Sequence, residues 1–128
     1  MTKRARLSRS SDFQRIYRQG RSAASRFLVL YYFEHSPGAP ASQPRLGLSV
    51  SKKVGGAVVR NRIKRLLREA FAACEPGLPA QYDYVLIARA PLADLSERQA
   101  RGEKGIVSDA VRDVFVRADL IPSDKAAS

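Results

Sequence analysis

The sequence predicts a mixed α/β domain in the order helix, strand, strand, helix, strand, helix, with a possible extra short strand at residues 22–25. Three observations predict this fold class. Residues 27–33 are an unbroken run of leucine, valine and aromatic side chains, residues 59–74 carry apolar side chains at helical spacing, and Gly- and Pro-containing stretches separate such segments. At 128 residues, the chain is long enough to bury one core without disulfides or metals.

The charge of the chain indicates a polyanionic partner. There are 23 Lys and Arg against 12 Asp and Glu, a formal net charge of +11, which favours a nucleic acid or an anionic membrane surface. No apolar run approaches the roughly 20 residues of a membrane span, and no signal peptide is visible, so we expect no membrane partner. The lone Cys74 excludes an internal disulfide and fits a reducing compartment. The expectation is a cytoplasmic protein that binds nucleic acid.

The amino-terminal segment predicts a basic arm and then a short aromatic helix. Residues 1–8 contain basic residues and no acid, and are expected to be flexible. The sequence Ser11–Gln14 fits a capping box, and Gly20 is a natural stop for the helix. Phe13 and Tyr17 lie one helical turn apart, so they are expected to face the same way.

Three stretches have the composition of strands. Residues 27–33 are apolar on both faces, residues 82–88 form the last apolar run, and residues 45–51 alternate leucine and valine with glycine and serine. The second face of the 45–51 strand is therefore small and polar, which leaves space beside the sheet. Alternation is expected to place three side chains of the first strand on one face: Phe27, Val29 and Tyr31.

The remaining segments predict one more helix and two irregular regions. Residues 107–118 carry an apolar stripe at helical spacing, with a start either near Ser96 or only after Gly105. Residues 36–44 are rich in Pro, Gly and Ala and predict a loop, and residues 122–128 predict a flexible tail. Because neither an internal repeat nor a linker is visible, the 128 residues are expected to form a single domain.

The most informative stretch is a basic amphipathic helix. Its apolar stripe consists of Val59, Ile63, Leu66, Leu67, Ala70, Phe71 and Cys74. Asn61, Arg65 and Arg68 fall opposite this stripe, with Arg62 and Lys64 on the flanks. The cations in its first turns oppose the helix dipole, which disfavours each by about 0.3–1 kcal/mol at low salt. We therefore expect a polyanion to lie against this face.

Two features each have two open interpretations. Phe13, Tyr17 and the strand aromatics are either ordinary core or a groove in which the bases of a single strand stack, and the residues alone favour neither. Gly55 and Gly56, ahead of the basic helix, are either a phosphate-binding turn or a simple flexible connection. These last two interpretations need not exclude each other.

Catalysis by protein side chains is not expected. His35 is the single histidine, no Cys/His cluster has zinc spacing, and no Gly-rich loop ends in Gly-Lys-Ser/Thr. Cys74 lies on the buried stripe and is interpreted as a small hydrophobic residue. The acidic residues show no convergent pair for general acid–base or metal chemistry; they include Asp12, Glu34, Glu69, Asp83 and Asp94.

The stretch Lys52–Phe71, with its Lys-Lys-Val-Gly lead-in and its Arg-Asn-Arg-Ile-Lys-Arg-Leu-Leu-Arg-Glu-Ala-Phe helix, closely resembles the signature of the bacterial ribonuclease P protein component. Residues 6–20, 27–31 and 83–89 are also similar to segments of this family. The resemblance covers roughly residues 4–91 and then weakens to a helical pattern. It is far more specific than a generic basic helix.

The resemblance implies an α/β (α+β) two-layer sandwich in the order αβββαβα, with a four-stranded sheet like that of ribosomal protein S5 domain 2 and a left-handed βαβ crossover. It also implies that a large catalytic RNA, using magnesium, removes the 5′ leader of precursor tRNA by hydrolysis. The small protein would bind that RNA and the leader, one protein per RNA. By this resemblance the protein alone binds no cofactor and contributes no catalytic side chain, while a contribution to magnesium binding stays open.

Carried over residue by residue, the resemblance implies two RNA-contacting surfaces. The surface for the catalytic RNA consists of the basic helix and its lead-in: Lys52, Lys53, Arg60, Asn61, Arg62, Lys64, Arg65 and Arg68. The surface for the leader consists of aromatic and apolar residues of the first helix and first long strand: Phe13, Tyr17, Phe27, Val29 and Tyr31.

Two other classes of function compete with this interpretation. A structural RNA binder resembling a ribosomal protein would explain the charge and the basic helix, but it has no use for clustered aromatic residues. The RNA that copurifies would discriminate, since a single large RNA favours ribonuclease P and ribosomal RNA favours the alternative. A nuclease made of protein alone is a third class, which an assay of the RNA-free protein would test.

Overall fold

The described part of the chain forms a four-stranded mixed sheet and three α-helices in a computed structural model. The structure describes residues 20–34, 45–79 and 82–122. The strands are β1 (Arg21–Ala24), β2 (Leu28–Glu34), β3 (Arg45–Ser49) and β4 (Tyr82–Ala88). The helices are α1 (Ala57–Cys74), α2 (Leu92–Ala100) and α3 (Ile106–Arg117), and a short 3-10 turn, Glu75–Gly77, follows α1.

The sheet has the strand order β1-β2-β4-β3, so the last strand in the sequence lies inside the sheet. β2 pairs antiparallel with β1 and with β4, whereas β3 and β4 are parallel. Helix α1 connects these two parallel strands and forms a βαβ unit with them. The α+β class and the four-stranded sheet are thus confirmed, and the left-handed sense of the crossover stays a prediction.

The main core lies between the helices and one face of the sheet. Its fully buried members include Leu28, Leu30, Tyr84, Leu86, Ile63, Leu67, Phe71, Val111, Val114 and Phe115. Tyr84 packs its ring against Phe71 and Phe115, with centroids 5.8 and 5.5 Å away, and its hydroxyl donates a hydrogen bond to the carbonyl of Pro79. Burial is the main cause that raises the pKa of Tyr84. The opposite face of the sheet carries a separate, smaller cluster around Val85.

Two helices follow β4 where the sequence predicted one helix of uncertain start. Helix α3 begins directly after Gly105, and a separate helix, α2, precedes it. Gly102 and Gly105 have φ angles of 116° and 75°, in the left-handed region that glycine adopts without steric cost. The N–H of Val107 donates to Oε1 of Gln99 at 3.0 Å, so a side chain of α2 caps α3. The two glycines therefore separate the helices rather than interrupt one.

Strand predictions agree closely with the structure, and several other predictions lie outside the described residues. The possible short strand at residues 22–25 is β1, and the predicted strand at residues 82–88 coincides with β4. The predictions that fall outside the described ranges are the arm at 1–8, the first helix with Phe13 and Tyr17, His35, the loop at 36–44 and the tail beyond Pro122.

Candidate nucleic-acid interface

Helix α1 has one buried face and one cationic face, as its sequence predicts. The buried side chains are Ile63, Leu66, Leu67, Ala70, Phe71 and Cys74, whereas Val59 is half-buried. Asn61 and Arg65 are exposed on the outward side, together with Val58, which is 79% exposed. The helix contains five Arg or Lys and one Glu. None of these cations forms an ion pair within the described part of the chain, so the positive charge of this face is uncompensated.

The first turn of α1 lacks the groups that usually stabilise a helix N-terminus. Its N-cap residue, Gly56, offers no side chain to the free N–H groups, and the first turn contains no acid. Lys52 and Lys53 are exposed in the preceding turn. Gly55 is needed for packing, since a Cβ there would lie 2.9 Å from Cγ1 of Val59. Cations and free N–H groups thus make this end of the helix electropositive.

Arg60 and Arg62 are both half-buried but have different partners. The Nε of Arg62 donates a hydrogen bond of 2.9 Å to the hydroxyl of Ser96, which lies on α2 and is fully buried. The Nε of Arg60 is also buried, and it has no hydrogen-bond partner in the described ranges. One arginine of the Arg-Asn-Arg sequence is therefore held by a neighbouring helix, and the other is not.

The surface of α2 and α3 is different, because its charges compensate one another. Residues 92–122 contain five Arg or Lys and six Asp or Glu. Ion pairs there include Arg98–Glu103 at 2.8 Å, Arg101–Glu97 at 3.4 Å and Arg117–Asp113 at 2.8 Å. The hydrogen bond from Arg98 lowers the pKa of the Glu103 carboxyl. A polyanion therefore finds uncompensated charge on α1 rather than on these two helices.

The face of the sheet that points away from the helices, called the distal face below, is apolar and aromatic. The strand register places Val29 beside Ile87, and Tyr31 beside Val85. Val29 and Tyr31 are half-buried. On β3, Gly47 pairs with Val85, and Ser49 with Ile87, so small residues flank the apolar ones. The predicted small face of this strand is confirmed, and two of the predicted leader-binding residues, Val29 and Tyr31, share the distal face.

Phe27 does not lie on the distal face, contrary to the alternation predicted for the first strand. β2 begins at Leu28, and Phe27 packs against the main core on the helix side. The hydroxyl of Ser25 accepts hydrogen bonds from the N–H groups of Phe27 and Leu28, each at 3.2 Å, which bends the chain before the strand. The guanidinium of Arg26 lies 5.8 Å from the Phe27 ring centroid. Phe27 is thus separated from Val29 and Tyr31.

The distal face contains residues that the sequence prediction did not assign to it. Phe33 packs with Tyr31 around Val85, and alternation from Tyr31 could have identified it. Arg45 and Asp83 form a bidentate ion pair on this face. Nε of Arg45 donates to Oδ1 of Asp83 at 2.8 Å and Nη2 donates to Oδ2 at 2.6 Å, and the Asp83 side chain is fully buried. Sequence alone gives no sign of this pair, because 38 residues separate its members.

Among the described residues, the free cysteine Cys74 is buried. In these ranges, no group of three or more His, Cys, Asp or Glu is placed to hold a metal ion. Burial raises the pKa of the Cys74 thiol, which keeps it protonated and a poor nucleophile. No helix in the part of the chain that the structure describes is long and apolar enough to cross a membrane.

A model of the family described as Ribonuclease P matches residues 1–109 of the chain. The chain belongs to the ribonuclease P protein family. A relative within this family, the ribonuclease P protein component of Exiguobacterium sp., is 42% identical over 120 residues, which is 94% of this chain and 95% of the relative.

Solved structures of the ribonuclease P family share the fold. The RNase P protein of Staphylococcus aureus is 35% identical, with a TM-score of 0.76 over 93% of this chain and 99% of that one. The RNase P protein of Thermotoga maritima is 31% identical, with a TM-score of 0.65 over 88% of this chain and 93% of that one. The family resemblance that the sequence indicated is confirmed.

Proposed function

We propose that this protein is the protein subunit of ribonuclease P. It binds the catalytic RNA and the 5′ leader of precursor tRNA, one protein per RNA, and assists the RNA-catalysed endonucleolytic removal of the leader in the cytoplasm. The observation that carries the proposal is that a member of this family presents two unlike surfaces on opposite sides of one sheet. One surface is the cationic face of α1, and the other is the distal face.

The cationic face of α1 supports the binding of the catalytic RNA. A folded RNA is a dense polyanion, and each phosphate contact by Lys or Arg releases counterions. The side chains proposed for this contact carry positive charge or amide hydrogen-bonding groups, and they are Lys52, Lys53, Arg60, Asn61, Arg62, Lys64, Arg65 and Arg68. Because the cations of α1 form no ion pairs within the described ranges, RNA phosphates need not displace existing partners.

The distal face supports the binding of a single-stranded leader. Half-buried apolar and aromatic side chains beside small residues suit bases that stack, at roughly 1–3 kcal/mol per base. Val29 and Tyr31 lie there, and Phe33 and Ile87 extend the same face. Phe13 and Tyr17 stay in the proposal on the family resemblance alone, and Phe27 is left out because of its position on the helix side.

The chemistry in this proposal belongs to the RNA, with magnesium as its metal. In this proposal the RNA holds that metal, and among the described residues no three His, Cys, Asp or Glu are grouped to do so. The buried carboxylate of Asp83 accepts two hydrogen bonds from Arg45. The role of the protein is therefore to position two RNAs that repel each other, by placing a molecule of net charge +11 between them.

A reconstitution with Tyr31→Ala tests the leader assignment. With the catalytic RNA bound, this variant should bind precursor tRNA roughly tenfold more weakly, as expected for the loss of one stacked base, and should bind mature tRNA as the wild type does. Tyr32→Ala is a matched control. Tyr32 is the adjacent residue on β2, but it faces the helix side, where its ring meets Tyr82 edge-on at 5.7 Å.

The outcomes of this reconstitution separate the alternatives. Equal losses for precursor and mature tRNA, or equal effects of the two tyrosine variants, would contradict the leader assignment. Cleavage of precursor tRNA by the RNA-free wild-type protein would contradict the proposal that the RNA, and not the protein, performs the hydrolysis. Affinities are measured by titration at fixed magnesium and salt, because RNA affinity depends steeply on ionic strength.

A further inference from the structure

We propose that Ser96 is a positioning residue for RNA binding: its buried hydroxyl orients Arg62 of α1 so that the guanidinium meets a phosphate of the catalytic RNA. The inference rests on the proposed function, because it takes α1 as the surface that faces this RNA. It adds a residue on a different helix, outside the basic segment, to the determinants of RNA affinity.

The contact joins two helices that are distant in sequence. The Nε of Arg62 donates to Oγ of Ser96 at 2.9 Å across a separation of 34 residues. Ser96 has no exposed surface, whereas Arg62 is half-buried at the edge of the cationic face. Because the hydroxyl is rigidly enclosed in α2 and the guanidinium reaches the surface, the bond fixes the arginine rather than the serine.

A bond at Nε leaves the outer edge of a guanidinium available. The group is planar, so a partner at Nε sets the direction of the edge formed by Nη1 and Nη2. That edge can donate two parallel hydrogen bonds to one phosphate. Arg62 makes no other hydrogen bond or ion pair in the ranges that the structure describes. The guanidinium of Arg62 is therefore preorganised to bind an anion through Nη1 and Nη2.

The other arginines of the same face have no such support. Arg65 is exposed and Arg68 is half-buried, and neither has a hydrogen-bonding partner within the described residues. Both must lose side-chain freedom when they bind a phosphate, whereas Arg62 is already ordered. The structure thus distinguishes one arginine held by a hydrogen bond from two without a hydrogen-bonding partner in the described residues.

A purely structural role for the bond is the competing explanation. A buried hydroxyl normally has a hydrogen-bonding partner, and Arg62 could simply provide one. However, the packing of α2 already has apolar support from Leu92 and Leu95, which are 0% and 6% exposed. The two explanations differ in RNA affinity, because a structural bond affects binding only through the fraction of folded protein.

The experiment is a double-mutant cycle with the full-length protein and the ribonuclease P RNA of the same organism. Ser96→Ala should weaken binding roughly threefold to tenfold, Arg62→Ala at least as much, and the double variant no more than Arg62→Ala alone. The slope of log affinity against log salt should become less steep by almost one for Arg62→Ala, and should change in the same direction for Ser96→Ala.

Leu95→Ala is the matched control for the docking of α2. It removes buried apolar contacts from the neighbouring position and leaves the hydroxyl of Ser96 in place. This variant should lower the denaturation midpoint yet bind the RNA as the wild type does, at a temperature where all variants are folded by circular dichroism. Equal losses of affinity in Leu95→Ala and Ser96→Ala would overturn the positioning role.

The remaining outcomes distinguish this inference from the proposed function. Wild-type affinity in Ser96→Ala, with a clear loss in Arg62→Ala, would overturn the role of Ser96 and leave the RNA surface intact. Additive losses in the double variant would also overturn it, because Ser96 would then act independently of Arg62. A wild-type protein that fails to bind the RNA specifically would refute the proposed function itself.

Discussion

At the scale of single residues, the two neighbouring glycines before α1 have different physical roles. A Cβ on Gly55 would lie 2.9 Å from Cγ1 and 3.1 Å from Cβ of Val59. Val59 is β-branched, and its χ1 angle has one strongly preferred value in a helix, so it cannot easily move aside. A Cβ on Gly56 would meet nothing within 4 Å, and the φ angle of −72° suits any residue. Packing therefore requires glycine only at position 55.

We expect Gly55→Ala to lower the free energy of unfolding by about 1–3 kcal/mol, the usual cost of an overpacked contact. Gly56→Ala is the control and should change it by less than about 0.5 kcal/mol, because lower entropy of the unfolded chain offsets a slightly poorer N-cap. Urea denaturation of both variants measures these values. Similar losses at the two positions would show that the close approach to Val59 does not limit stability.

Phe27 and Tyr31 show what alternation can and cannot predict for a residue. Tyr31 lies inside β2, where successive side chains point to opposite faces, so its place on the distal face follows from the sequence. Phe27 lies one residue before the strand, in a bend that the Ser25 hydroxyl stabilises through two hydrogen bonds. The side of the sheet on which Phe27 lies therefore depends on where β2 begins. Local hydrogen bonds determine that boundary, and periodicity does not predict them.

At the scale of the secondary-structure elements, the N-terminus of α1 lacks the groups that usually stabilise a helix. It has no side-chain N-cap and no acid in the first turn, while Arg60, Arg62 and Lys64 oppose the dipole. These omissions leave N–H groups and cations available to an anion. The helix is nevertheless held by its buried stripe, which packs against the sheet and α3. Its stability comes from tertiary packing, so its first turn can serve binding.

Placing a cap at Gly56 should separate stability from RNA binding. Gly56→Asn supplies a neutral capping side chain and should raise the free energy of unfolding by a few tenths of a kcal/mol. Gly56→Asp adds a favourable interaction with the helix dipole, for a total gain of about 0.5–1 kcal/mol. We expect Asp to weaken affinity for the catalytic RNA roughly fivefold to tenfold, because it places a negative charge beside Lys52, Lys53 and Arg60.

The neutral variant makes this comparison specific to charge, since Asn and Asp have nearly the same size and shape. Gly56→Asn should bind the RNA within about twofold of wild type if only charge matters at this end of the helix. Unfolding by urea and RNA titration at one salt concentration provide the two measurements. Equal RNA affinities for the Asn and Asp variants would mean that the first turn of α1 lies away from the RNA.

The helices after β4 show the limit of sequence prediction for elements. The stripe of α3 is regular and was predicted, whereas α2 spans only nine residues and was missed. Gly102 and Gly105 were recognised as breaks, but their left-handed φ angles identify them as the two ends of a helix–helix turn. The contact between Arg62 and Ser96 could not be predicted, since it depends on how α2 packs beside α1.

At the scale of the whole molecule, charge and apolar surface are segregated around one sheet. The main core joins the sheet to α1 and α3, so the cationic face of α1 points away from the sheet on the helix side. The distal face lies on the other side of the same sheet. The α2–α3 surface carries compensated charge. The uncompensated positive charge is therefore concentrated on α1. The location of this charge, rather than the total of +11, should determine where RNA binds.

Two double variants that remove the same charge from different faces test this directionality. Arg65→Ala with Arg68→Ala removes two cations of α1 that have no ion pairs in the described structure. Arg101→Ala with Arg117→Ala removes two cations that are paired with Glu97 and Asp113. We expect the α1 variant to lose roughly tenfold or more in affinity for the catalytic RNA, and its salt slope to become less steep by about two. The α2–α3 variant should retain wild-type affinity and slope.

Both variants should remain folded, because the α1 variant removes no ion pair of the described structure, and each exposed pair lost in the α2–α3 variant contributes at most about 1 kcal/mol to stability. A full salt titration of each variant is therefore a measurement of RNA contacts and not of unfolding. If the two variants lost affinity equally, net charge alone would govern binding, and α1 would no longer be the surface for the catalytic RNA. If only the α2–α3 variant lost affinity, the RNA would bind the face on which the acids lie, against the electrostatic argument for α1.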